Sequence, residues 1–248
     1  MNRLGLGAAA AGVVTAAGVT GQLLPGVVAW RRARIRLFPG LSGVGAPGHL
    51  ALTFDDGPDE ISTPAFLDEL DRLGWKATFF MLGANAAACP DLTAEVARRG
   101  HEIAVHGYSH RNQLWHGPRA IASGFQAARD KLAELTGVQP VWNRPPYGAL
   151  SASSLAGARR AGLRTVLWTT WGRDWRKSAT PESVVADVAT TMVPGATVLL
   201  HDSDCTSAAG SWKHTLASLP MLAECWKAAG LSVGPLREHS VRGAPPLA

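Results

Sequence analysis

From about His49 onward, short apolar runs alternate with longer stretches whose apolar residues recur at helical spacing. The runs at residues 50–54, 77–81, 102–106, 140–143, 165–168, 197–201 and 231–233 predict strands. Between them, residues 63–73, 92–99, 119–135, 151–161, 181–192 and 214–229 predict helices. In the first of these, Phe66, Leu67, Leu70 and Leu73 fall on one face. Such regular alternation predicts an α/β fold, a parallel sheet with helices outside it. Seven or so units suit a closed barrel better than an open sheet.

The chain before this pattern is different in kind. Residues 4–29 carry no charge and are mostly Ala, Gly, Val and Leu, long enough to span a bilayer. Val27-Val28-Ala29 also makes an acceptable small-residue cleavage site. The run Arg31, Arg32, Arg34 and Arg36 that follows outweighs Arg3, and the positive-inside rule would then keep the next domain in the cytoplasm. The organisation expected is a signal or membrane-anchor segment with a basic flank over 1–36, one catalytic domain over 49–235, and a tail over 236–248. The protein is expected to be secreted or membrane-anchored, with cytoplasmic retention as the alternative.

Composition adds bounds. The 248 residues suffice for one sizeable core, and 46% hydrophobic with 17% charged is globular. The formal charge of +5 owes much to the arginine run, which places the excess outside the folded body. There is no motif combining basic and aromatic residues, and nucleic acid is not an expected partner. Cys89, Cys205 and Cys225 match neither a zinc knuckle nor a redox pair. Three buried thiols are favoured over one disulfide with a thiol left over.

The chemistry lies in where polar residues fall against the strand pattern. Asp55 and Asp56 follow the first strand, His106 ends the third, and His110 comes four residues later. Arg144 follows the fourth strand, Asp174 comes after the fifth, and His201 ends the sixth. In an α/β barrel these strand ends open onto one face, which is where active sites form. Taken singly, a strand-end His is an ordinary structural residue, and Asp-Asp-Gly-Pro is an ordinary turn. Taken together, one carboxylate and two imidazoles give three ligands with a position left for water, the arrangement of hydrolytic zinc centres.

Five runs carry a resemblance. Thr53-Phe54-Asp55-Asp56-Gly57-Pro58, His106-Gly107-Tyr108-Ser109-His110, Arg144-Pro145-Pro146-Tyr147-Gly148, Asp174-Trp175 and Leu199-Leu200-His201 resemble, in order, the five motifs of the polysaccharide deacetylase family, the chitooligosaccharide-deacetylase-like carbohydrate esterases. The likeness covers roughly residues 49–235 and implies a distorted (β/α) barrel of seven or eight parallel strands. It also implies that Asp56, His106 and His110 bind a divalent metal, zinc first, with cobalt or nickel as alternatives. By the same resemblance Asp55 is the general base, steadied by Arg144, and His201 is the general acid, paired with Asp174. The Tyr147 backbone N–H helps bind the oxyanion, and Leu199 and Trp175 line a slot for the acetyl methyl. The chain departs from the family pattern at Gly107, where Ser or Thr is usual, and at Trp171, where an Asp is common.

The reaction so implied is hydrolysis of an N-acetyl group on an amino sugar, with an N-acetylated carbohydrate as partner. A peptidoglycan or chitin-type polymer is the leading substrate, and a small N-acetylglucosaminyl conjugate is the second. A sugar-binding protein without catalysis is the non-enzyme alternative. Trp142, Trp171, Trp175 and Trp212 fall near predicted site loops. Trp171 and Trp212 are candidates for stacking on sugar rings. Residues 202–206 are expected at the rim, where Asp202 and Asp204 would bind hydroxyls or cap the next helix.

Overall fold

The computed structural model describes residues 31–243. The proposed signal or anchor over residues 1–29 lies outside the described residues. Among those described, no helix is long and apolar enough to cross a membrane.

Two short helices, α1 (Arg31–Leu37) and α2 (Pro39–Ser42), lead into β1 (His49–Asp55), α3 (Thr63–Leu73), β2 (Thr78–Leu82), α4 (Gly83–Ala88), α5 (Pro90–Arg98) and β3 (Glu102–Gly107). Then come α6 (Pro118–Thr136), β4 (Trp142–Asn143), α7 (Ala152–Arg160), β5 (Arg164–Thr165) and β6 (Thr170–Trp171). The last elements are α8 (Pro181–Thr191), β7 (Thr197–His201), α9 (Ser211–Ala228) and β8 (Ser232–Gly234). Every predicted helix is present. The expected strand over 165–168 is instead two short strands, β5 and β6, on either side of residues 166–169.

The strands are parallel, in the order β5-β4-β3-β2-β1-β7-β6, with β8 pairing to the start of β1. Helices pack around this curled sheet, and the fold is a distorted (β/α) barrel. The two ends of the order, β5 and β6, are consecutive in the chain and are not bonded to each other. The barrel therefore has a seam.

Alternation along β1 shows how sequence builds the two cores. Leu50, Leu52 and Phe54 join the larger cluster between sheet and helices, with Phe66, Leu67 and Leu70 of α3. Ala51 turns inward with Phe80, Ala104, Trp142, Val166, Leu236 and Val241. Each fully buried Phe or Leu in these clusters stabilises the fold by about 1.5–3 kcal/mol. Helix boundaries follow local chemistry: α3 opens on Pro64 and stops at Gly74 in the left-handed region. Helices α7 and α8 begin with capping boxes built by Ser151 with Ser154 and Thr180 with Ser183.

Three expectations change here. The arginine run is not outside the folded body, because Arg34 is 6% exposed and Arg31 and Arg34 both bond to barrel backbone. The stretch after residue 235 is not a loose tail as far as it is described. Leu236 and Val241 close one end of the inner core, and the Leu236 N–H donates to Thr78 Oγ1. All three cysteines are free, with Cys89 half-buried and Cys205 and Cys225 exposed, so none is a buried thiol.

Candidate active site

The site begins with register. Asp55 of β1 sits directly beside His201 of β7, and Val105, next to His106, pairs with Asn143, next to Arg144. Parallel pairing brings these strand ends to one level, where they line a cleft of about 390 Å³ with His110, Tyr147, Trp168, Trp171, Trp175 and Leu199. Of the four non-glycine residues with positive φ among those described, Asp56 (80°) and Tyr147 (61°) lie in this cleft and Arg173 (48°) adjoins Asp174. Backbone held in that region costs on the order of 1–3 kcal/mol per residue and collects where geometry serves a site.

Asp56 is buried, and its Oδ1 lies 3.3 Å from both His106 Nε2 and His110 Nε2. Its Oδ2 accepts from Thr206 Oγ1 at 2.5 Å, and its backbone carbonyl accepts from Asn85 Nδ2 at 2.9 Å. Oδ1 itself receives no hydrogen bond, a costly omission for a buried carboxylate oxygen. Burial would raise the Asp56 pKa, but the approach of His106, with His201 and His110 behind it, holds it well below the usual carboxylate range. Burial and the neighbouring His106 lower the pKa of His110. One ligand atom from each residue lies within 4.8 Å of the other two. This donor set, with an orphaned carboxylate oxygen facing two imidazoles, fits a divalent cation.

Asp55 is organised from the opposite side. Its Oδ1 accepts from Arg144 Nη1 at 2.6 Å, while its Oδ2 stands 3.7 Å from His106 Nδ1. Arg144 is fully buried. It also donates to Thr53 Oγ1 and to the Leu167 carbonyl, each at 2.9 Å, and packs 4.0 Å above the Phe80 ring. Breaking such a buried ion pair from one side typically costs about 3–5 kcal/mol.

His201 Nδ1 meets Asp174 Oδ1 at 2.9 Å, and the His201 backbone N–H donates to Asp174 Oδ2 at 2.8 Å. Thr215 Oγ1 donates to the same Oδ2, so the carboxylate is held from three directions. Burial pulls the His201 pKa down, but the charge and hydrogen bond of Asp174, then the charges of Asp56 and Asp55, raise it to about 9. The imidazole is therefore protonated at neutral pH.

The remaining expected residues divide. Tyr147, Leu199, Trp171 and Trp175 line the cleft, with the Trp175 ring edge-on to His201 at 5.6 Å. Trp212 does not line it: it packs on the hydrophobic core from the first turn of α9. Trp142 belongs to the inner core. Asp202 is fully buried beneath the site and accepts from Thr63 Oγ1 at 2.6 Å, so it is no rim residue. Asp204 accepts from the Gly210 N–H at the entrance to α9. Gly107 adopts φ 114°, a conformation that a Ser or Thr would strain, which accounts for glycine there.

Two cleft residues, Trp168 and Ser207, were not singled out in the sequence, while Gly148 and Thr206 lie in runs expected at the site but carried no role of their own. Trp168 had a usable signal, since it ends the expected strand over 165–168, at the same level as the other site residues. Gly148 is required by close approach, because a Cβ there would stand 2.6 Å from the Trp168 ring. Nothing in the spacing of Thr206 pointed to Asp56, 150 residues away.

Comparisons with known proteins agree with this geometry. The polysaccharide deacetylase family model matches residues 43–166. A chitooligosaccharide deacetylase of Bradyrhizobium sp. is 33% identical over 193 residues, covering 75% of this chain and 87% of the relative. A peptidoglycan-N-acetylglucosamine deacetylase of Bacillus cereus is 35% identical over 162 residues, covering 65% of this chain but only 58% of the relative. A solved structure of a family 4 carbohydrate esterase from Streptomyces lividans, in complex with acetate, superposes with TM-score 0.70 at 29% identity, over 82% of this chain and 100% of that one.

Proposed function

Because this chain belongs to the polysaccharide deacetylase family, we propose that it is a metal-dependent hydrolase that removes N-acetyl groups from amino sugars and releases acetate. The observation that carries this reading is the orphaned Oδ1 of Asp56 between two imidazole nitrogens, with the paired strand ends Asp55 and His201 beside it. The substrate we infer is a peptidoglycan or chitin-type polymer, in keeping with relatives named for peptidoglycan N-acetylglucosamine in Bacillus cereus and for chitooligosaccharides in Bradyrhizobium.

Asp56, His106 and His110 would hold the metal. When bound, the ion supplies a Lewis acid for the acetyl carbonyl and a lowered pKa for water. Two imidazoles with one carboxylate suit zinc, and cobalt or nickel would be accepted by the same donors. Asp55 takes the proton from the attacking water through Oδ2, the oxygen that Arg144 does not engage. Arg144 orients the carboxylate through its bond to Oδ1. The Tyr147 N–H donates to the developing oxyanion, a contribution of about 3 kcal/mol for one such donor. An amine cannot leave as an anion, so His201 delivers its Nε2 proton to the leaving nitrogen, while Asp174, bonded to Nδ1, orients the ring and stabilises its charged form. Leu199 and Trp175 flank the methyl group, and Trp171 stacks on the sugar.

We also propose export or membrane anchoring through residues 4–29, which Edman sequencing of the protein from cell fractions checks. The decisive test of function is acetate release from chitooligosaccharides, peptidoglycan fragments and small N-acetylglucosaminyl conjugates, with and without chelator. Release that persists after complete metal removal would overturn the reading. Release from the small conjugates alone would replace the polymer as substrate.

A further inference from the structure

The barrel's seam is closed by side chains. The Val166 N–H still bonds across to Asn143 of β4, and the Thr169 N–H already bonds to Thr197 of β7. Between them, the Leu167 N–H finds its acceptor outside the sheet, on Leu41 of α2. The carbonyls in this stretch have no strand to meet, and buried carbonyls left unpaired are destabilising. Three guanidinium groups meet them: Arg144 donates to Leu167, Arg34 to Trp168 and Arg31 to Thr169.

Arg34 has a second contact with Trp168, its guanidinium lying 5.6 Å from the centre of the indole. That indole lines the cleft and fills the space that a side chain at residue 148 would need. It thus supports the turn that carries the Tyr147 N–H. Arg32 and Arg36, on the same helix, are exposed. A run placed for charge alone would have no reason to bury one member and leave its guanidinium Nε without a partner.

We propose that Arg34 is a positioning residue for the substrate wall: it fixes Trp168, and through it the Tyr147–Gly148 turn, from a helix that precedes the barrel. The proposal rests on the deacetylase reading for its catalytic consequence but not for its structural one. The full chain is labelled with 5-fluorotryptophan, and the Trp168 resonance is identified by its loss in W168F. Arg34→Met is expected to move or broaden that resonance and to lower kcat on a soluble chitooligosaccharide about 10-fold, with KM changed less. Arg34→Lys keeps the charge but not the planar face, and it falls between the two in both readouts. Arg32→Ala with Arg36→Ala leaves resonance and kcat as in the parent.

An unmoved Trp168 resonance in Arg34→Met overturns the proposal, as does an equal effect from the Arg32/Arg36 pair. If Arg34→Met does not fold, Arg34→Lys decides alone: parental resonance and kcat overturn the proposal. If the parent releases no acetate but its Trp168 resonance still moves with Arg34, the deacetylase reading fails and the positioning role stands.

Discussion

The two sides of the cleft are made by different means. On one side, β3, β2, β1 and β7 are laddered strand to strand, and Asp55, Asp56, His106 and His201 lie at or just beyond their ends. On the other, the sheet is open between β5 and β6, and Trp168 and the Tyr147–Gly148 turn are held by arginine side chains and packing, beside Trp171 on the edge strand β6. Reacting groups need placement within a fraction of an ångström, and a hydrogen-bonded ladder provides it. A wall that meets a sugar ring can be held by fewer fixed points. The comparison teaches that proton transfer and metal binding belong to the laddered half, and substrate fit, together with the Tyr147 N–H, to the stapled half.

The laddered half should therefore break first and hardest. His106→Ala or Asp56→Ala is expected to abolish both metal retention, measured by elemental analysis after dialysis, and acetate release. Metal-replete, fully active His106→Ala would sink the ligand assignment. Asp55→Asn should keep the metal and lose about 10²–10⁴-fold in kcat, and near-parental turnover would show that another group is the base. Arg144→Lys tests the one residue that serves both halves. It keeps the charge, but one amine cannot reach Asp55, Thr53 and the Leu167 carbonyl together. Turnover and thermal midpoint should fall together.

The acid partner offers a test by pH. With its pKa raised to about 9, His201 holds its proton below that value, and activity that needs the proton is lost as pH rises through it. Asp174→Asn removes the charge that opposes burial, so the alkaline limb of the kcat profile should move to lower pH. An unmoved limb would place its titrating group elsewhere. The stapled half should respond most mildly. Trp171→Ala is expected to raise KM about 3–10-fold, the worth of one aromatic contact, with kcat nearly kept. Trp212→Phe, on the core and away from the cleft, should leave both constants within about 2-fold by the same measure.

What could be read from the chain follows the same division. Strand ends are marked by apolar runs, so Asp55, Asp56, His106 and His201 were recognisable as a group before any coordinates. Helical spacing between the apolar runs also gave the helices, and the number of units together with the family resemblance gave the barrel. The seam was not legible, because it is defined by hydrogen bonds that strands fail to make. A continuous apolar run at 165–168 looks the same whether it is one strand or a crossing between two edges. Arg34 looked like its exposed neighbours, since a buried arginine in a basic run has no distinguishing spacing. Trp212 sat near a site loop in sequence, but the first turn of α9 faces the core.

The lower end of the barrel has a consequence for synthesis. Ala51 of the first strand is covered by Leu236 and Val241, about 190 residues further on, so most of the chain must leave the ribosome before the interior can seal. Contacts this distant in sequence form late and slowly. The interior of the emerging polypeptide therefore stays unsealed until the stretch around residue 240 arrives.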